Sequence, residues 1–97
     1  MKVEDGAEIV GPSFLDEGVT VKAGARVLPY SVIGRHCQID AGAVIAGSIL
    51  WPNTRVGSEA RVEDAICGRN AHIGRNVTVG PGAVLGSKTV LTDFSRA

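Results

Sequence analysis

The 97-residue chain has few aromatic side chains and no surplus of charge, and each shortage excludes a class of protein. Aromatic residues make up 4% of the sequence, which is little for an ordinary globular core. Ten basic side chains balance ten acidic ones, so the overall charge predicts no attraction to nucleic acid or to an anionic membrane. We therefore expect neither a nucleic acid nor a membrane among its partners.

Long hydrophobic runs and cysteine motifs are also missing. The longest apolar stretch, 43–51, is interrupted by Gly47 and Ser48 and is far shorter than the roughly 20 residues of a membrane-spanning helix. The amino-terminal residues lack the apolar segment of a secretory signal, so we expect a cytoplasmic location. Cys37 and Cys67 form no CxxC pattern, which is typical of reduced thiols buried as small apolar side chains.

The chain is rich in glycine, valine and isoleucine, and these residues recur with a period of six. A helix repeats its apolar face every 3.6 residues and a strand every 2, so a period of six indicates short strands separated by turns. Sixteen hexads fill a single domain, 1–97. They begin at Val3, Ile9, Leu15, Val21, Val27, Ile33, Ile39, Ile45, Leu50, Val56, Val62, Cys67, Ile73, Val79, Leu85 and Leu91.

Each hexad also has a turn position and a position for a small side chain. The turn position lies three residues after the aliphatic residue and often holds glycine or asparagine, which tolerate positive φ. It is occupied in this way at Gly6, Gly18, Gly24, Gly42, Asn53, Asn70, Asn76 and Gly82. The small side chain usually follows one residue later and points inward with the next aliphatic residue, because side chains alternate along a strand. Three hexads then form one triangular coil of an all-β solenoid.

Two hexads are one residue short, and their positions test this arrangement. The steps from Ile45 to Leu50 and from Val62 to Cys67 have five residues, and both fall on the same side of successive coils. The sequence therefore predicts slightly more than five triangular coils, two of them with 17 residues. In the shortened steps we expect Ile49 and Ile66 to occupy the otherwise small position.

The segments VGPGAVLG and IGRNVTVG resemble the hexapeptide-repeat transferases. That resemblance implies a left-handed parallel β-helix, although crossover connections between parallel strands are generally right-handed. The segment SILWPNTRVGSEARVEDAICGRNAHIG is similar to the carboxy-terminal β-helix of sugar-1-phosphate nucleotidylyltransferases, notably the mannose-1-phosphate guanylyltransferases. In that family the chemistry and its Mg²⁺ belong to a separate catalytic domain, so the resemblance implies no metal and no cofactor in this chain.

Apolar residues at expected outward positions indicate a docking face. The pattern places Val10 over Leu28 and Phe14 over Val32, with Tyr30 at the adjoining corner. A contiguous exposed patch of this kind usually marks a partner surface. We expect either a second copy of the chain or a nucleotidyltransferase catalytic domain to bind there.

Basic residues provide two further hypotheses. Arg35, Arg55, Arg69 and His72 fall on one side of the solenoid, where they are expected either to bind an anion or to form part of a solvated charged face. His36 and His72 lie two coils apart on that side, too far from one another to share a metal ion. Each is a candidate general base in the alternative function below, or an ordinary surface imidazole.

The leading hypothesis is a non-catalytic assembly or regulatory module that resembles the carboxy-terminal domain of a sugar-nucleotide pyrophosphorylase. No catalytic motif of that family is present in the chain. The alternative is a small acetyl-CoA-dependent acyltransferase that is active as a trimer, with His36 or His72 as the base.

Overall fold

The computed structural model describes residues 2–97, which form sixteen short strands joined by turns, with no helix among them. The strands are β1 (Lys2–Val3), β2 (Glu8–Ile9), β3 (Phe14–Leu15), β4 (Thr20–Val21), β5 (Arg26–Val27), β6 (Val32–Ile33), β7 (Gln38–Ile39), β8 (Val44–Ala46), β9 (Ile49–Leu50), β10 (Arg55–Val56), β11 (Arg61–Glu63), β12 (Ile66–Cys67), β13 (His72–Ile73), β14 (Thr78–Val79), β15 (Val84–Leu85) and β16 (Val90–Leu91). The second residue of every strand is the aliphatic residue, or Cys67, that the hexad pattern identifies. The predicted hexads are confirmed.

Each of the first thirteen strands pairs in parallel with the strand three places later, and the pairing produces three sheets. The first face is β1-β4-β7-β10-β13-β16, the second is β2-β5-β8-β11-β14 and the third is β3-β6-β9-β12-β15. The chain is thus a left-handed parallel β-helix of slightly more than five triangular coils, as predicted. Its longest dimension is 28 Å and the other two are 20 Å.

The core is a set of stacked aliphatic columns inside the prism. Val21, Ile39, Val56 and Ile73 form the inward column of the first face and are completely buried. On the first coil the equivalent Val3 is 42% exposed, because it has a neighbouring coil on one side.

Small side chains fill the corners between the columns. At the second-to-third-face corner the buried Ser31 and Ser48 donate hydroxyl hydrogen bonds to the backbone carbonyls of Leu28 at 2.8 Å and Ala46 at 2.9 Å. A buried hydroxyl at a corner is therefore satisfied locally, as buried polar groups must be.

The chain turns through positive φ at every corner except the one at Pro12, and the position matters more than the residue type. All eight glycine and asparagine residues predicted at this position have positive φ. So do larger residues at equivalent positions, namely Tyr30, His36, Glu59, Lys88 and Phe94. At His36 and Asn53 this turn directs the backbone N–H to a carbonyl on the preceding coil, at 3.0 Å in both cases. The corners are thus held by hydrogen bonds between coils.

The two shortened steps stack at the second-to-third-face corner, as the sequence predicts. Ile45 pairs with Val62, so the two 17-residue coils are neighbours. The expectation that Ile49 and Ile66 point inward is wrong: they are 40% and 39% exposed. Ser48 and Ala65 occupy the small inward positions instead. The physical reason is that the missing residue comes from the turn, while the inward alternation is counted back from the next aliphatic residue.

Candidate functional site

A ladder of apolar side chains runs along the outside of the third face. Its members are the first residues of that face's strands, which point outward because the second residues point into the core. In register they are Phe14, Val32, Ile49, Ile66 and Val84. Each is between 39% and 71% exposed. We call this row the third-face ladder.

The other two faces do not share this character. The outward residues of the first face are Lys2, Thr20, Gln38, Arg55, His72 and Val90, and those of the second are Glu8, Arg26, Val44, Arg61 and Thr78. On the second face Arg26 Nε lies 2.8 Å from Glu8 Oε1, as expected for solvated polar strands. The fold therefore does not require apolar outward residues, and the third-face ladder is a property of this one surface.

An apolar groove of about 410 Å³ adjoins one end of the ladder. Pro12, Phe14, Tyr30 and Val32 line it together with Ser13 and Ser31. Tyr30 is 76% exposed and has a φ of 67°, a conformation that is uncommon for a bulky residue. The structure thus brings together three of the predicted docking residues, Phe14, Tyr30 and Val32.

Val10 and Leu28, the other two predicted docking residues, lie just around the corner. They directly follow β2 and β5 on the second face, where Val10 N–H donates to the Val27 carbonyl at 2.8 Å. Val10 is 36% exposed and Leu28 is half-buried. They lie on the second face next to the groove and are not part of the ladder.

Sequence reasoning did not find the greater part of the ladder, Ile49, Ile66 and Val84. The hexad pattern predicts Ile49 and Ile66 to point inward because it counts the small position forward from the preceding aliphatic residue, across a shortened turn. Counting one residue back from the next aliphatic residue would have identified them as outward. That signal is present in the sequence at every strand of the third face.

The structure separates the predicted anion-binding residues into two columns. Arg55 and His72 are neighbours on the first face, whereas Arg35 and Arg69 lie at the third-to-first-face corner. Arg55 Nη2 lies 3.3 Å from the carboxylate of Asp40, which neutralises part of its charge. Anion binding by these residues stays a prediction.

Arg69 contacts an aromatic ring, whereas His72 lies among charged side chains. The Arg69 guanidinium stacks over the Trp51 ring, 5.5 Å from its centroid. His72 borders a shallow cavity of about 190 Å³ that also contains Arg55, Arg75, Asp40 and Asp93. Acidic and basic side chains both line this cavity, so it is not a purely cationic anion-binding site.

The two histidines occupy different structural positions. His36 is a corner residue with φ 57°, and its ring covers Gly18 so closely that a Cβ at Gly18 would overlap it. His72 points outward from β13 between Arg55 and Val90. They lie two coils apart but in different columns, and a role for either as a general base stays a prediction.

Both cysteines are buried and reduced, as the sequence indicated. The Cys37 thiol lies 3.2 Å from the Trp51 carbonyl and donates to it. Burial raises the pKa of Cys67 to about 11, and the neighbouring Cys37 adds to the increase. Burial also raises the pKa of Cys37. Both thiols are therefore protonated at neutral pH and act as core side chains.

Within residues 2–97 no three His, Cys, Asp or Glu side chains come together in an arrangement that could hold a metal ion. The same part of the chain contains no helix long and apolar enough to cross a membrane.

Comparison with protein families decides which group the chain belongs to. Residues 1–95 match the family described as the EIF2B subunit epsilon LbH domain. The chain is a member of this family. The match covers nearly all of the β-helix, including both shortened corners and the whole third-face ladder.

Two curated proteins are similar to this LbH domain over part of their length. One is a UTP–glucose-1-phosphate uridylyltransferase from Synechocystis, 32% identical over 64% of the chain. Another is a probable mannose-1-phosphate guanyltransferase from Schizosaccharomyces pombe, 32% identical over 74% of the chain. The aligned segments span 16% and 17% of these relatives, so they correspond to a small part of each enzyme.

Solved structures of acetyltransferases have the same fold. A histidine-to-alanine mutant of GDP-perosamine N-acetyltransferase from Caulobacter crescentus, in complex with CoA and GDP-perosamine, matches 99% of the chain with a TM-score of 0.91 and 28% identity. The acetyltransferase domain of PglB from Neisseria gonorrhoeae matches 94% of the chain with a TM-score of 0.57 and 27% identity. The chain covers 48% and 50% of these proteins.

Proposed function

We propose that this LbH domain is a non-catalytic assembly module that holds subunits or catalytic domains together through its third face. The observation that carries the proposal is the continuous apolar ladder on a prism whose other two faces are mainly polar. An exposed apolar strip that runs the length of a domain usually marks an interaction surface. The fold places it on one hydrogen-bonded parallel sheet, so a partner would meet a pre-formed surface.

The similarity to two sugar-1-phosphate nucleotidyltransferases supports a place for the domain in such an enzyme. The reaction would then be transfer of a nucleotidyl group from a nucleoside triphosphate to a sugar 1-phosphate. A separate catalytic domain would carry out that reaction with Mg²⁺. The residues of the β-helix would contribute to assembly and regulation.

Substitution of a ladder residue in the full-length protein tests this function. Ile66→Lys places a charge in the middle of the third face, where docking would have to desolvate it. We expect the association constant, measured by sedimentation equilibrium, to fall at least about tenfold. Val90→Lys is the matched control, because Val90 is also an exposed outward aliphatic residue, but on the first face. Equal association of wild type and Ile66→Lys would contradict the proposal.

A small acyltransferase is the second candidate, supported by the TM-score of 0.91 to an N-acetyltransferase whose structure contains CoA. In this function the chain would use acetyl-CoA as a trimer, with His36 or His72 as the base. Turnover of acetyl-CoA with amino-sugar nucleotides, lost on His72→Ala or His36→Ala, would favour this candidate. His72→Ala is the sharper variant, since His36 also packs on Gly18 and its removal disturbs a corner.

A further inference from the structure

We infer that the partner on the third face is a second copy of this chain, aligned in parallel about a twofold axis that runs along the solenoid. This inference rests on the proposed function, because it uses the same face and names its occupant. It is derived from the dimensions of the face, the spacing of its ladder and the charges on its two rims. The rims are the corners at which the third face meets the second face and the first face.

The size of the face requires a partner that covers all of it. A stable interface buries about 800 Å² on each partner. A face of about 28 by 20 Å offers about 70% of that area as a flat projection, so its ladder, groove and rims all have to take part. A small segment lying across one or two coils would bury too little.

The spacing of the ladder fits a second solenoid. Its side chains are repeated once per coil, about 4.8 Å apart, because they lie on neighbouring strands of a sheet. A partner that packs against the whole ladder needs apolar groups with the same repeat. A second copy supplies them on its own third face, and with a net formal charge of zero the two copies do not repel each other at long range.

The charges on the rims favour the parallel alignment. Asp64 and Arg69 lie at opposite ends of β12, one at each corner of the third face, and Tyr30 and Arg35 flank β6 in the same way. Within residues 2–97, Asp64, Arg69 and Arg35 have no ion-pair partner in their own chain.

In a parallel dimer, each rim of one third face lies against the opposite rim of the partner's third face, at the same coil. Asp64 then faces Arg69 of the partner subunit, and Tyr30 faces Arg35 of the partner subunit. The twofold axis repeats both contacts. In an antiparallel dimer the same rims meet head to tail, which would set Arg35 against Arg69 of the partner subunit. The antiparallel arrangement would also set Glu17 against Lys88 of the partner subunit, and this attraction offsets the repulsion between the arginines. The parallel arrangement has the attraction between Asp64 and Arg69 of the partner subunit with no like-charge contact against it, so the charges favour it.

A charge-swap experiment tests the rim contacts. Asp64→Arg and Arg69→Asp should each raise the dimer dissociation constant at least about tenfold, because each change breaks both copies of the contact. The dimer dissociation constant of the double variant should lie within about threefold of the wild-type value. Glu59→Arg is the matched control, since Glu59 is also an acidic corner residue with positive φ but lies between the first and second faces.

Cross-linking tests the parallel alignment. Val84→Cys places one accessible thiol on the last rung of the ladder, where it is 71% exposed in the unmodified chain. In the parallel dimer the two new thiols face each other across the roughly 10 Å between packed sheets, within reach of a short bis-maleimide. In the antiparallel dimer they would be roughly 19 Å further apart along the solenoid. The wild-type protein is the control, because its two cysteines are buried.

Each outcome bears on the inference. A cross-linked dimer together with rescue in the charge-swap variant would support it. A monomeric wild type, absence of rescue, or a dimer without the Val84→Cys cross-link would overturn it. If the chain is monomeric but Ile66→Lys weakens its attachment to another domain, the second copy is excluded and the assembly function stands. If Ile66→Lys changes no association at all, both fail.

Discussion

Tyr30 shows how a corner position overrides the preference of the residue that occupies it. Its φ of 67° costs about 1 kcal/mol for an ordinary side chain, whereas asparagine tolerates this conformation well. Most of the tyrosine ring remains in solvent, so burial within the chain does not compensate for the strain. Tyr30 thus combines a strained backbone with an exposed ring beside the apolar groove, which makes it a direct test of the proposed docking surface.

Replacement of Tyr30 should separate stability from association. We expect Tyr30→Asn to raise the free energy of unfolding by up to about 1 kcal/mol and to weaken dimer formation, because the strain and the groove contact are both removed. Phe94→Asn is the matched control: Phe94 has φ 65° and is 67% exposed, but lies at the first-to-second-face corner. Thermal melts and sedimentation measure the two effects. Identical association of the two variants would argue against a role for Tyr30 in docking.

At the scale of an element, the two shortened corners form one interlocked unit. Asp64 N–H donates to the Ala46 carbonyl at 2.9 Å, and the Asp64 side chain lies over Gly47. The Ser48 hydroxyl also accepts a hydrogen bond from Ala65 N–H at 3.2 Å. The Asp64 contacts have equivalents at full corners, since Glu59 N–H donates to the Ala41 carbonyl at 3.0 Å and its side chain lies over Gly42. The hydrogen bond from Ala65 N–H to the Ser48 hydroxyl is the contact that joins the two shortened corners in particular.

The shortened corner should be more sensitive to loss of its hydroxyl than a full corner. Ser48→Ala leaves the buried Ala65 N–H without this acceptor and should cost about 1–3 kcal/mol of unfolding free energy. Ser31→Ala removes a donor to the Leu28 carbonyl, which also accepts from the Ser13 hydroxyl at 3.1 Å, so it should cost under about 1 kcal/mol. Urea denaturation compares the two variants. Equal losses would show that the hydrogen bond to Ala65 contributes little.

At the scale of the whole molecule, stability depends on how many coils surround a side chain. Each coil contacts its immediate neighbours, so the prism behaves as a stack whose central members have two partners and whose outer members have one. The same residue type should therefore contribute different amounts of stability at different heights in the stack.

Two valines of the first-face core column test this dependence. Val21 is completely buried and Val3, which pairs with it on the preceding coil, is 42% exposed. Val21→Ala should cost about 2–3 kcal/mol through lost burial and a residual cavity. Val3→Ala should cost less than about 1 kcal/mol, since the site is already open to water. Calorimetric or denaturant unfolding measures both, and a larger cost at Val3 would mean that the open end is covered in solution.

The hexad pattern alone was enough to establish the period of the fold, the inward columns and the corners. These features follow from local rules: side chains alternate along a strand, and glycine or asparagine tolerates positive φ. The two five-residue steps even identified the coils of 17 residues. Those rules failed where a turn was shortened, because the small position was counted forward through Gly47 and Asp64, and Ile49 and Ile66 were assigned to the wrong side of their strands.

The tertiary structure decided which outward residues share a surface. Phe14 and Val84 are 70 positions apart in the sequence, yet they are the two ends of one ladder. His36 and His72, assigned to one side by their hexads, lie in different columns. The physical reason is that stacking depends on how each coil closes on the next. Local alternation fixes whether a side chain points inward or outward, while inter-coil hydrogen bonds fix which side chains become neighbours.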